Sequence, residues 1–172
     1  MNWPEVKAGD YIPYHKAYLD RLPSQCDVPL EFENNTTHII EFLKSIPKEK
    51  LDYRYAVGKW TIKEILGHII DTERIMSYRA LCIARGETQQ LPGFEEDEYA
   101  AASNANERSI DNLINEMDLL RKSTIAMMRS FTHEMIDSRG NANKHPVTVN
   151  AVCRVMAGHE LHHLAIIKER YL

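Results

Sequence analysis

His159, Glu160, Leu161, His162 and His163 spell H-E-x-x-H near the end of the sequence. On a helix, residues four apart sit one turn above each other, so His159 and His163 offer two imidazoles to one point. Such a pair holds a divalent metal when a third ligand completes the set, and it leaves a coordination position for water or substrate. Glu160 is a candidate base or an orienter of a ligand; the ordinary alternative is an acid on a helix surface. His68, in "EILGHIID", is a candidate third ligand, with His38 as its rival. Arg79 shares a helical row with His68 and is a candidate for holding an anionic substrate group, against the ordinary expectation of a surface arginine. His15, His133 and His145 fall in expected loops, termini or exposed positions and are expected to be solvated.

Two familiar metal chemistries do not fit. The extended zinc-protease motif wants Gly and His where this chain has Ile166 and Glu169. The other protease form draws a Glu from a later helix and needs an edge strand, and the sequence offers neither. A ferritin-like di-iron site needs two E-x-x-H motifs, and Glu160 to His163 is the sole one.

The elements that must carry these residues are helical. The spacing predicts helices from Leu30 to Ser45, from Thr61 to Gly86, from Ser103 to Thr132 and from Pro146 or Thr148 onward. Thr61 and Glu64 form a T-x-x-E capping box that opens the second helix. On the last helix, Val149, Val152, Met156, Ile166 and Ile167 form an apolar stripe with His159 and His163 in its middle and His162 at its edge. Two core histidines without partners are costly to bury, and a metal satisfies both. The segments "ETQQLPGFEEDEYAAASNANE" and "DSRGNANKHP" are expected loops, and strand signals are nearly absent. The expected architecture is therefore all-α: one domain over 1–172, an up-down four-helix bundle with a short N-terminal arm or helix.

Composition sets the outer bounds. The 172 residues are 44% hydrophobic and 27% charged, with a net charge of -4. That balance suits a globular protein and makes no electrostatic case for nucleic acid. No apolar run is long enough to span a bilayer and no signal-peptide core opens the chain, so a cytoplasmic location is expected. Cys26, Cys82 and Cys153 form no C-x-x-C pair and are not expected to form a disulfide framework; Cys153 is expected in the core.

The pieces "GKWTIKEILGHIIDTERIMSYRAL", "LPGFEEDEYA" and "VTVNAVCRVMAGHELHHLAIIKERY" together resemble the DinB/YfiT-like superfamily of metal-binding four-helix bundles. By position, the resemblance implies that His68, His159 and His163 bind a divalent metal, and it suggests a homodimer. It also implies activity on a small molecule. Some members resemble thiol S-transferases that use a low-molecular-weight thiol such as bacillithiol or mycothiol, and others are described as metal-dependent hydrolases. The leading expectation is an enzyme in which a three-histidine metal activates a water or thiol. The rival is a non-catalytic metal-binding or interaction module, whose metal would be closed off by four protein ligands.

Overall fold

The computed structural model describes every residue from Met1 to Leu172. A 3-10 turn (Pro13–His15) runs into α1 (Lys16–Leu19) and forms the N-terminal arm. Four long helices follow: α2 (Val28–Ser45), α3 (Ile62–Ala84), α5 (Ile110–Arg129) and α7 (Val149–Arg170). Between them lie β1 (Gln90–Leu91), α4 (Glu96–Ala102), α6 (His133–Asp137), β2 (Arg139–Ala142) and β3 (His145–Thr148). Each long helix opens on a side chain that accepts a free backbone N–H: Asp27, Thr61, Ser109 and Thr148. At Thr61 the expected capping box forms, with Glu64 reaching back to the Thr61 N–H.

The order of the helices around the bundle departs from the expected up-down plan. Side-chain pairs fix the directions. Arg129 pairs with Glu33 and Arg121 Nη1 donates to Thr36, so α5 runs antiparallel to α2. Thr61 bonds Asn106 and Arg74 bonds Glu116, so α3 and α5 run parallel. α2 packs on α5 and α7, while α3 packs on α5 and α7 from the opposite corner. Parallel neighbours cannot be joined by a tight turn. Residues 85–109 must return along a helix about 35 Å long, which is why that connection is extended and carries β1 and α4.

Three local expectations change with it. The segment after Gly86 is not all loop, because Glu96–Ala102 forms α4. The third long helix starts at Ile110, after a separate 3-10 turn (Ala105–Glu107). The expected loop near 140 is an antiparallel β2–β3 hairpin, and β1 adds to β2 in parallel. Its turn residues Asn143 and Lys144 both take positive φ, 49° and 65°. That is the backbone of a two-residue hairpin turn, made here without the glycine that usually advertises it.

The core divides in two. One apolar cluster includes Trp3, Phe32, Met76, Ile125 and Val152. The other includes Ile39, Ile70, Met117, Leu164 and Ile167. On every long helix the switch from one cluster to the other falls on buried polar residues: Thr36 on α2, Thr72 and Glu73 on α3, Arg121 and Thr124 on α5, His159 and Glu160 on α7. A polar layer thus crosses the middle of the bundle. No helix is long and apolar enough to cross a membrane.

Candidate metal centre

His68 on α3 and His159 and His163 on α7 meet where these antiparallel helices pack. The Nε2 of His159 lies 2.9 Å from that of His68 and 3.0 Å from that of His163. One ligand atom from each of the three falls within 4.8 Å of the others. Trp60, just before the cap of α3, lays its ring against His68 at 4.7 Å between centroids and stacks on His163 at 6.4 Å. Tyr18 of the arm meets His159 edge-on at 5.2 Å.

Hydrogen bonding alone does not account for this convergence. A neutral imidazole has one acceptor lone pair, so His159 Nε2 cannot accept well from both neighbours. Burial holds His68 down to about 4 and His163 to about 3, and burial with four neighbouring imidazoles holds His159 well below its usual value. All three are neutral at pH 7, with lone pairs gathered in one place. A divalent ion with metal–nitrogen bonds of about 2.0–2.1 Å spaces its nitrogens by roughly 3 Å. The donor set and its spacing therefore fit such an ion.

Two cavities border the centre. One of about 250 Å³ is lined by His163, Trp60, Tyr55, Tyr171, Lys59 and Asp97, among others. A second, of about 30 Å³, lies beside His159 and Arg79. Of the three histidines, His163 lines the larger cavity and His159 the smaller.

Glu160 is adjacent to His159 in sequence, but a 100° step carries it to another side of α7. It lines neither of these two cavities. Its Oε2 accepts from Arg121 Nη2, and Arg121 Nε donates to Glu73 Oε2 at 3.1 Å. Arg121 is 1% exposed and stacks over Phe32 at 3.5 Å. Burial pushes the Glu160 carboxyl up to about 7, opposed by Arg121 and reinforced by Glu73. Glu160 is thus a core residue behind the ligands, in place of the surface acid that is the ordinary reading of its position.

Other histidines divide. His38, His133 and His145 are exposed, and His38 is no part of the cluster. His162 is half-buried and hydrogen-bonds Arg21 at 3.3 Å. His15, expected in solvent, is 5% exposed and lines the smaller cavity with His159. The cause is the arm, which crosses α7 at Gly158, where a Cβ would stand 2.0 Å from the Tyr18 carbonyl oxygen. Arg79 is likewise buried, its Nη2 bonded to the Pro92 carbonyl. Sequence reasoning missed Tyr18, Glu73 and Arg121 as neighbours of the site. The one signal that could have found the crossing is Gly158, about one and a half turns before His163.

Comparison with known proteins agrees with this architecture. The chain is 25% identical over 139 residues to a protein of Oceanobacillus iheyensis named "putative metal-dependent hydrolase", covering 80% of each chain. It is 23% identical over 141 residues to a Bacillus cereus protein of the same name, covering 80% of this chain and 79% of that one. In fold it is similar to YfiT from Bacillus subtilis, described as "a probable metal-dependent hydrolase with an unusual four-helix bundle topology". The TM-score is 0.67 at 17% identity, over 96% of this chain and 91% of that one. The sequence profile of the DinB superfamily matches residues 31–167, most of the chain, and the chain belongs to that superfamily.

Proposed function

We propose that the protein is a divalent-metal-dependent enzyme acting on a small molecule, with His68, His159 and His163 as the ligands. The observation that carries this reading is the convergence of three neutral, buried Nε2 atoms beside a cavity of about 250 Å³. Three protein ligands leave at least one coordination position free, whereas a structural site is usually closed by four. A bound ion would supply Lewis-acid charge that lowers the pKa of a coordinated water or thiol.

The chain's own residues do the rest. Trp60, Tyr55 and Tyr171 give the larger cavity apolar walls and exclude bulk water from one side of the histidines. Tyr18 covers the opposite side of His159. Glu160, Glu73 and Arg121 tie α7 to α3 and α5 behind the ligands, so Glu160 acts as a positioning residue. Asp97 and Lys59 are the charged groups that face a substrate in the cavity.

The names of the relatives favour hydrolysis. Transfer of a low-molecular-weight thiol is the second chemistry, supported by the chain's resemblance to a superfamily some of whose members resemble thiol transferases. One experiment tests the centre and separates the two. Purified protein is stripped, reloaded with Ni²⁺ or Zn²⁺, and assayed for metal content, ester or amide hydrolysis, and conjugation of a thiol to an electrophile. His68→Ala, His159→Ala and His163→Ala should each lose most of the metal, and His133→Ala should not. Full occupancy in the His68 variant would remove that residue from the site. A cobalt-substituted protein whose spectrum ignores every added thiol and anion would make the site structural.

A further inference from the structure

Three arginines are buried in this protein, and only one is short of partners. Arg121 has two carboxylates, Glu73 and Glu160. Arg154 has no carboxylate, but its three nitrogens all donate, to Asn150 Oδ1 and to the carbonyls of Pro23, Trp3 and Pro4. Arg79 is 4% exposed, and its hydrogen-bond partners are the Pro92 carbonyl, at 2.5 Å from Nη2, and the Met76 sulfur, at 3.5 Å from Nη1, while the Phe94 ring lies at 6.0 Å from its Cζ, the outer limit of a cation–π contact. A guanidinium carries five N–H donors and a full charge, and thioether sulfur is a weak acceptor. Burial of a cation so poorly matched is costly unless something else meets it.

Arg79 lines the small cavity beside His159 and a smaller apolar cavity next to it. Thr72, two turns before Arg79 on the same face of α3, also lines the cavity beside His159, and its hydroxyl is buried with no partner. His15 faces the cavity from the arm and makes no side-chain hydrogen bond within the protein; Phe94 and Met76 give it apolar walls. Glu96 borders it too but pairs with no cation, and burial and its acidic neighbours Asp97 and Glu95 push its carboxyl up. The volume, about 30 Å³, has room for about two waters, the size of a carboxylate head. A planar carboxylate matches a guanidinium fork, which a spherical ion does not.

We propose that this cavity is a carboxylate subsite, in which Arg79 and Thr72 hold the acid group of a small substrate next to the histidine centre. The proposal rests on the metal-centre reading for its meaning as a substrate site, but its binding chemistry is independent of the metal. The substrate class is thus a small carboxylic acid whose reactive atom lies close to its carboxylate.

The test is an NMR titration of metal-free protein with sodium formate at constant ionic strength. Saturable shifts are expected at Thr72, Arg79 and His15. Arg79→Gln should abolish them. Arg79→Lys, which keeps the charge and loses the fork, should weaken binding at least tenfold, and Thr72→Val by several-fold. If Arg79→Gln fails to fold, Thr72→Val and Arg79→Lys decide. No saturable shift in the wild type, unchanged binding in these variants, or binding seen only after metal loading would overturn the proposal; the last would put the anion on the metal. Failure of the metal reading shows separately, as wild-type protein that takes up no metal while still binding formate.

Discussion

Replacing Gly158 by Ala sets two effects of known size against each other. In an unobstructed helix interior this change stabilises by about 1 kcal/mol, through helix propensity and a less flexible unfolded chain. At position 158, however, the new Cβ would stand 2.0 Å from the Tyr18 carbonyl oxygen and 2.6 Å from its carbon, where real Cβ contacts essentially never fall below 3.0 Å. Both partners are backbone, so no side chain can swing aside. The arm must move by about 1 Å, or leave. Forcing extra volume into a packed contact costs about 1–3 kcal/mol. Because both partners are backbone, the upper part of that range, about 2–3 kcal/mol, applies; after the gain of about 1 kcal/mol, urea denaturation should show a net loss of about 1–2 kcal/mol, or a melting temperature lower by about 2–8 °C for a chain of this size. The same shift should loosen Tyr18 from His159 and Arg21 from His162. Trypsin should then cut faster after Lys16 and Arg21, and metal should dissociate faster. A Gly158→Ala protein that is stabilised by about 1 kcal/mol and cleaved at the wild-type rate would refute the arm's docking on α7.

Four further outcomes follow from the same geometry. Ni²⁺ or Zn²⁺ at a hundredfold its dissociation constant should stabilise the stripped protein by about 2.7 kcal/mol, and no thermal shift at saturating metal would contradict a preformed site. His15, His68 and His163 bind protons more weakly when folded, held near 4, 4 and 3; the unfolded chain therefore takes up more protons below about pH 6.5, and metal-free stability should fall as pH drops from 6.5 towards 4. Glu160 works in the opposite direction between about 4.5 and 7, but one carboxyl opposes several imidazoles, so a stability that rose on acidification through this window would show the burial of the histidines to be wrong. Arg121→Met should cost about 3–5 kcal/mol by stranding two buried acids, whereas Glu160→Gln, replacing a group already held towards neutrality, should fold with far less loss and keep its metal; equal losses in chemical denaturation would contradict the network. Thr61→Ala should cost about 1–2 kcal/mol with or without metal, since Thr61 caps α3 and also donates to Asn106; a penalty confined to the metal-loaded protein would mean that Thr61 acts on the centre.

Helical periodicity and caps are local signals, and they made the four long helices legible. Thr61 and Glu64 marked the start of α3, and Asn143-Lys144 hid a hairpin because its positive-φ turn lacks glycine. The i, i+4 spacing of His159 and His163 on an apolar stripe was enough to expect paired ligands, because helix geometry alone aims them at one point. His68 was a harder matter. Its row on α3 left His38 as a rival until the packing of α3 against α7 brought Nε2 atoms within 3 Å. No periodicity reports which helices become neighbours or which run parallel. The same pattern suits an up-down ring or the arrangement found, and long-range burial chose between them. The burial of His15 and Arg79 was decided in the same way, since residues 64 apart in sequence share a cavity only because the arm folds across Gly158. Sequence by itself determined what each helix can offer on its faces. Tertiary structure decided which faces meet, and so which charges are paired in the core and which are left waiting for a ligand.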